Sequence, residues 1–225
     1  MSTKPNTDLL LYRDTFWISP YVFSCFVALR EKEVPFETKA IALHNKVQLR
    51  PDFTDRSITA RVPALDHYLT ETEVFTLAES GAIIEYLDET FTFPKHMRLL
   101  PSNVRDRARA RQVMSWLRSD DTLPLREERS TATMFYERAK EPLSEAGAKA
   151  AKKLVDVGER LITKGSPYLF QHWCIADSEL AFMLHRLINS GDPVTGRLRD
   201  YADAQWQRAP VREFVEMKRD PYIPY

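Results

Sequence analysis

A serine at a strand-to-helix turn is the first feature of this chain that could do chemistry. The apolar run at residues 9–12 predicts a strand, and apolar residues recur at helical spacing after Ser19. Serine is a preferred N-cap and proline a preferred first helical residue, so Ser19 and Pro20 fit the start of a helix. A hydroxyl there lies beside free backbone N–H groups in the positive field of the helix, which can stabilise a thiolate. The same pattern also fits an ordinary helix cap.

Composition narrows the class of protein. The 225 residues contain 32 Lys and Arg and 32 Asp and Glu, so the formal net charge is zero. This balance argues against a nucleic-acid binder or a membrane-surface protein. No apolar run approaches membrane-spanning length and the first residues lack the apolar segment of a secretory signal, so we expect a cytoplasmic protein.

The cysteines and histidines indicate neither a disulfide framework nor a metal centre. Cys25 and Cys174 both lie in apolar, helix-like patterns, which fits a reducing compartment. The five histidines are scattered without ligand spacing, and we therefore expect no metal.

The first ninety or so residues predict a thioredoxin-like module. A strand, the helix from Ser19 to about Lys32 and an alternating strand at residues 34–41 form a βαβ unit. A third strand follows Pro63, which an interior strand position would not tolerate, although an edge strand would. A turn at residues 66–72, a short strand at residues 74–75 and a helix from Leu77 complete the module.

The second half predicts helices alone. Residues 93–103 form a proline-bracketed linker between a domain at residues 1–92 and a helical domain at residues 104–225. The helix after the linker is very basic, but a few acidic residues are interspersed and the chain as a whole is neutral. This favours a solvated face or a subunit interface over a nucleic-acid site. Cys174, followed three residues later by Asp177, fits the start of a core helix, so Cys174 is interpreted as structural. The predicted fold is an α/β thioredoxin-like domain followed by an all-α domain.

Three motifs in order resemble the soluble glutathione transferases, in particular bacterial members with a serine-type, theta- or zeta-like active site. They are Ser19-Pro20-Tyr21, then Arg61-Val62-Pro63, then residues 79–87, which begin Glu79-Ser80 and end Tyr86-Leu87. The resemblance covers nearly the whole chain. It implies a cytoplasmic homodimer that uses glutathione as co-substrate and no metal, with a role in detoxification or oxidative stress.

The resemblance also implies a role for each motif. Ser19 would donate a hydrogen bond to the glutathione sulfur and lower the pKa of the thiol. Pro63, cis in that family, would let Val62 offer its backbone to the cysteinyl part of the peptide. Ser80 and Glu79 would hold the carboxylate and the ammonium of the γ-glutamyl group, although both residues are also common in the first turn of a helix.

Two parts of the site are less defined. In the loop after the second strand, His44, Lys46 and Gln48 are all candidates to bind the glycyl carboxylate. Gln48 is assigned this role because of its distance along the sequence from the segment that begins at Pro51. The electrophile pocket is assigned to Phe16, Trp17 and Trp116, although Phe16 and Trp17 fit buried packing equally well. Tyr12 is interpreted as core or pocket wall.

The predicted function is a glutathione S-transferase, with possible glutathione-dependent peroxidase activity. A glutathione-dependent disulfide reductase is one alternative, but Ser19-Pro20-Tyr21-Val22 stands where glutaredoxins carry Cys-Pro-Tyr-Cys, so no dithiol exchange is available. A non-catalytic interaction protein on the same fold is the other.

Overall fold

The computed structural model describes residues 6–163 and 165–224. The chain packs as two compact units. The first ends at Leu99 and also takes in the segment that begins at Met217, and the second runs from Leu100 to Glu216. The division falls inside the predicted linker, but the C-terminal segment groups with the first unit and not with the helical one.

The first unit has the predicted thioredoxin-like arrangement of a four-stranded sheet and helices. The strand order is β2-β1-β3-β4, with β1 and β2 parallel and the other neighbours antiparallel. Two short 3-10 turns, Leu43–Asn45 and Val47–Leu49, follow the second strand. The elements in chain order are β1 (Leu9–Asp14), α1 (Pro20–Glu31), β2 (Glu37–Ile41), α2 (Pro51–Thr54), β3 (Ala64–Tyr68), β4 (Val74–Ala78) and α3 (Ser80–Thr90).

The register of the strands brings four chain connections to one edge of the sheet. Tyr12 of β1 pairs with Ala64 of β3, which pairs in turn with Ala78 of β4. On the other side of β1, Asp14 pairs with Ile41 at the end of β2. The ends of β1, β2 and β4 and the beginning of β3 therefore lie together, and we call this border of the sheet the loop edge.

A buried carboxylate links three strands of the sheet. Asp66 is fully buried and accepts hydrogen bonds from the Tyr12 hydroxyl at 2.8 Å, from Nε of Arg56 at 3.1 Å and from the Thr76 hydroxyl at 3.0 Å. Because these donors satisfy its charge, Asp66 can lie inside β3. The prediction of a turn that begins at residue 66 is therefore wrong, because β3 continues to Tyr68. The predicted start of the next helix at Leu77 is also wrong, because Leu77 belongs to β4.

The ends of α1 and α3 are joined by a second buried charge. Lys32 is 1% exposed, and its Nζ lies 2.7 Å from a carboxylate oxygen of Asp88 and 2.7 Å from the carbonyl oxygen of Phe91. The same Asp88 oxygen accepts the backbone N–H of Leu99 at 2.8 Å. The ion pair therefore fixes both helices behind the sheet and the chain that leaves this unit.

The second unit is helical throughout its described elements, as predicted. Its core surrounds α8, which is buried along most of its length. In the described residues of both units, no helix is long and apolar enough to cross a membrane. The helices are α4 (Val104–Arg118), α5 (Leu123–Glu128), α6 (Thr131–Phe135), α7 (Glu145–Leu161), α8 (Ile175–Ser190), α9 (Gly196–Trp206) and α10 (Ala209–Val215).

Asp177 organises the start of α8. Its carboxylate accepts the N–H of Cys174 at 2.9 Å, the N–H of Leu169 at 2.7 Å and the hydroxyl of Tyr201 at 2.8 Å. Burial and the nearby Asp177 raise the pKa of the Cys174 thiol. A buried thiol that resists ionisation is a poor nucleophile, which agrees with a structural role for Cys174.

Two details show how the helices of this unit begin and pack. Pro124 lies in the first turn of α5, where proline needs no N–H partner. The buried face of α7 carries Gly147, Ala151 and Leu154, while Ala148 is exposed.

The Asp66 contacts generate a stability prediction. Replacing Asp66 by Ala leaves the buried Tyr12 hydroxyl without its acceptor and Arg56 without its counter-ion. We expect a loss of about 3 kcal/mol in the free energy of unfolding, measured by urea denaturation. Asp55→Ala, a change at an exposed aspartate in the same region, is the control, and we expect it to change stability by less than about 0.5 kcal/mol. Equal stabilities of the two variants would contradict this account of Asp66.

Candidate active site

The loop between β1 and α1 is closed by the side chain of Asp14. This carboxylate is fully buried, and its two oxygens accept the backbone N–H groups of Ile18 at 2.9 Å and of Ser19 at 3.0 Å. A buried carboxylate without such donors would cost several kcal/mol. Asp14 therefore holds Ser19 at a defined place on the loop edge.

Ser19 is the N-cap of α1, as its sequence predicts. Its backbone is extended, with a φ of −67° and a ψ of 119°, and its Oγ accepts the N–H of Val22 at 3.3 Å. Pro20 follows in the first turn. Since a hydroxyl can accept and donate at once, this bond leaves the Ser19 hydrogen able to reach another acceptor. The residue is only half-buried, so a ligand can approach it.

The chain enters β3 through Val62 and Pro63, and the peptide bond between them is cis. The paired positions of β3 begin at Ala64, so the sheet ladder does not use the backbone of Val62. The preceding turn is fixed by the Ser57 hydroxyl, which donates to the Arg61 carbonyl at 2.8 Å and accepts the Arg61 N–H at 3.1 Å. The Val62 backbone is thus held at the loop edge by its neighbours.

Glu79 joins β4 to α3 in an unusual conformation. Its φ is 72° and its ψ is 117°, a region that costs a non-glycine residue about 1–3 kcal/mol. The Glu79 carboxylate is exposed and accepts the Thr59 hydroxyl at 2.8 Å. The next residue, Ser80, begins α3 and is 4% exposed. The Sγ of Cys25 in α1 lies 3.9 Å from the Ser80 carbonyl oxygen, which is a weak contact between the two helices.

In the loop after β2, two buried polar atoms have no hydrogen-bond partner among the described residues. They are Oε1 of Gln48 and Nδ1 of His44. Such atoms are rare in folded proteins and mark places where a further group can bind. Lys46, the third candidate, is exposed and has a φ of 54°. The choice of Gln48 stays a prediction, and its side-chain amide can present nitrogen in place of oxygen by a flip.

The aromatic candidates are placed differently from one another. Phe16 is 2% exposed, and its ring centroid lies 5.4 Å from that of His44. Trp17 is half-buried, and Cζ of the Arg13 guanidinium lies 4.0 Å from the centroid of the Trp17 ring. Trp116 belongs to the second unit, where it packs against the helical core. Their assignment to an electrophile pocket stays a prediction.

Tyr12 is unsuited to hold a thiolate. It is 2% exposed, its hydroxyl donates to Asp66, and burial together with that contact raises its pKa. This placement agrees with the core role assigned to it. Among the described residues there is no group of three or more His, Cys, Asp or Glu side chains that could hold a metal ion.

Sequence reasoning missed Asp14. The sequence feature that points to it is a charged residue at the end of an apolar strand. This residue stands five positions before the Ser19-Pro20 pair. An acceptor at that position can bind the N–H groups of the turn that follows, here four and five residues further on.

The conformation of Glu79 predicts an unusual gain in stability. In Glu79→Gly, the backbone strain is relieved, because glycine populates positive φ readily. We expect the free energy of unfolding to rise by about 1 kcal/mol in urea denaturation. Glu79→Ala removes the same carboxylate but keeps Cβ, so it is the matched control and should not gain stability. Equal stability of the Gly and Ala variants would contradict the assigned strain.

Comparison with known proteins identifies the family of both halves. Residues 18–90 match the family model described as the glutathione S-transferase N-terminal domain, and residues 103–219 match the model for its C-terminal domain. Among solved structures, a glutathione transferase homolog from Burkholderia gl BGR1 with bound glutathione is 36% identical. It has a TM-score of 0.73, with 92% of this chain and 96% of that chain covered.

Curated relatives match over part of their length. Glutathione S-transferase U28 from Arabidopsis thaliana is 38% identical over 108 residues, which is 48% of this chain and 43% of the relative. Maleylpyruvate isomerase from Ralstonia sp is 35% identical over 98 residues, 44% of this chain and 42% of the relative. The match therefore spans less than half of either relative. The two family models together cover most of this chain, and so does the Burkholderia structure. The chain therefore belongs to the glutathione S-transferase family.

Proposed function

We propose that this protein is a glutathione transferase in which Ser19 stabilises the thiolate of bound glutathione. The observation that carries the proposal is the shared position of three motifs. The register that pairs Tyr12, Ala64 and Ala78 brings Ser19, Val62 and the Glu79-Ser80 pair to one edge of the sheet. Family membership and the glutathione bound to the Burkholderia homolog support the same ligand.

The groups at the loop edge complement the parts of a glutathione molecule. Ser80, in the first turn of α3, suits the γ-glutamyl carboxylate, because its hydroxyl and the helix field both favour an anion. The exposed carboxylate of Glu79 suits the ammonium, and the backbone of Val62, which lies outside the sheet ladder, suits the central peptide. Gln48 would bind the glycyl carboxylate through its amide. The tripeptide would then place its sulfur over Ser19.

The proposed chemistry follows from a single hydrogen bond. Donation from the Ser19 hydroxyl and the field of α1 favour the thiolate over the thiol, which lowers the thiol pKa and releases its proton to solvent. The sulfur then attacks an electrophilic carbon, forming a C–S bond while the leaving group departs with its electron pair. With a hydroperoxide, the sulfur attacks oxygen and releases an alcohol. A second glutathione then converts the sulfenic acid to a disulfide and water.

The wider setting of the enzyme is part of the proposal. Phe16 and Trp17 of the first unit would line the pocket for an apolar electrophile. We propose a homodimer that works in the cytoplasm in detoxification or oxidative stress. The edge strand β4 supports an association surface, because Val74 and Phe75 are 42% and 38% exposed there. Both cysteines are buried and neither forms a disulfide, which supports a reducing compartment.

Competing functions on the same fold make different demands. An interaction protein without activity needs no glutathione site. A disulfide reductase or an isomerase named like the Ralstonia relative would bind glutathione but act on another substrate. Retention on immobilised glutathione is the first test. Turnover of a chlorinated aromatic, a hydroperoxide, a mixed disulfide and maleylpyruvate, each with glutathione, then separates the remaining functions, and no retention would favour the interaction protein.

Replacing Ser19 tests the central role directly. We expect Ser19→Ala to lower kcat with a chlorinated aromatic about a hundredfold while glutathione binding stays nearly unchanged, because the hydrogen bond strengthens as charge develops on sulfur. Ser19→Ala also removes a helix cap worth about 1 kcal/mol. Ser19→Gly keeps most of the cap energy without any side-chain donor and should be equally inactive. The measurements are steady-state kinetics and calorimetric binding of glutathione.

Ser24→Ala is the matched control. This serine lies on the same helix and donates to the Pro20 carbonyl at 3.2 Å, away from the N-cap. It should keep full activity. Unchanged turnover in Ser19→Ala would refute the assignment of Ser19, and recovery in Ser19→Gly would show that only the cap matters.

A further inference from the structure

The segment that begins at Met217 packs against the loop that carries Ser19. Nε of Arg219 donates to the carbonyl oxygen of Trp17 at 3.3 Å, and Nη1 of Arg219 donates to the Met217 carbonyl at 2.9 Å. The ring of Tyr222 meets Phe16 edge-on, with centroids 5.4 Å apart and planes at 84°. Both contacts reach residues immediately before Ile18 and Ser19.

Charges on the segment also face this loop. Arg13 donates through Nη1 to the carbonyl oxygens of Asp14 at 2.8 Å and of Thr15 at 3.1 Å. Burial lowers the pKa of Arg13, and the charges of Asp14 and Asp220 oppose that shift, so Asp220 lies within electrostatic reach of the guanidinium. Burial and the charge of Asp14 raise the pKa of Tyr222.

Trp17 in this loop has a costly backbone conformation that contacts from neighbouring residues must stabilise. Trp17 has a φ of 55°, in the left-handed region that is costly for a bulky side chain. Such a conformation persists only when surrounding contacts determine it. Here Arg13 covers the Trp17 ring and Arg219 binds its carbonyl oxygen, one from within the sheet and one from the C-terminal segment.

We propose that Arg219 and Tyr222 are positioning residues for Ser19, which keep the loop at residues 14–19 in the conformation that presents the hydroxyl to the glutathione sulfur. The inference rests on the proposed function. Neither residue needs to touch glutathione. Asp14 holds the loop through the N–H groups of Ile18 and Ser19, and the C-terminal segment holds it through Trp17 and Phe16. A loosened segment therefore leaves Ser19 less well oriented.

The test uses Arg219→Ala and Tyr222→Ala in the full chain. We expect each to lower kcat/KM for the chlorinated aromatic about tenfold, because small displacements of a catalytic group are costly. The pKa of the bound glutathione thiol should rise in both, measured from the ultraviolet absorbance of the thiolate against pH. Tyr222→Phe keeps the ring on Phe16 and should stay within about twofold of the unmodified protein. Lys218→Ala, a change at an exposed neighbouring cation, is the control for altered charge.

The possible results distinguish a failure of the positioning role from a failure of the proposed transferase function. If the unmodified protein neither lowers the thiol pKa nor turns over the substrate, the proposed function fails. If it does both while Arg219→Ala and Tyr222→Ala retain the thiol pKa and kcat, the positioning role alone is overturned, even if their unfolding midpoints drop. Should Tyr222→Ala unfold at the assay temperature, Tyr222→Leu keeps apolar bulk without the edge-on ring and carries the same test.

Discussion

A buried carboxylate that needs donors is the constraint on which the candidate site depends. Asp14 ends a strand inside the first unit, and it is shielded from water. Its charge is tolerable because the N–H groups of Ile18 and Ser19 turn back toward it. The loop geometry, the first residue of α1 and the position of the Ser19 hydroxyl are therefore consequences of satisfying one side chain.

The sheet supplies the rigid frame around that loop. Candidate residues lie at the ends of strands and not within them, so the paired register of β1, β3 and β4 determines which residues become neighbours. Asp66 reinforces the frame by joining side chains from three strands, and the ion pair of Lys32 with Asp88 fixes the helices behind it. Polar groups buried in this way constrain the scaffold as much as apolar packing does.

Local signals explain what could be predicted from the sequence. The Ser-Pro start of α1, the proline before β3 and the helical second half all depend on residues close in the chain, and the structure confirms these elements. Contacts between residues that are distant in the chain leave no such local signal. The partners of Asp66 lie up to 54 residues away, and Trp17 and Arg219 are 202 residues apart, so neither the strand through Asp66 nor the packing of the C-terminal segment had a local signature. The left-handed backbone of Glu79 likewise follows from tertiary packing. The roles of Ser19, Gln48, Val62, Pro63, Glu79 and Ser80 toward glutathione stay predictions.

The burial of both cysteines has a bearing on the durability of such an enzyme. Cys25 is fully buried in α1 and Cys174 is 1% exposed at the start of α8. An enzyme that handles soft electrophiles exposes itself to alkylation by its own substrates, and protein thiolates are the most vulnerable targets. With both thiols inside packed cores, covalent self-inactivation would require local unfolding of either unit. The chain would thereby reserve the reactive sulfur for a replaceable small molecule.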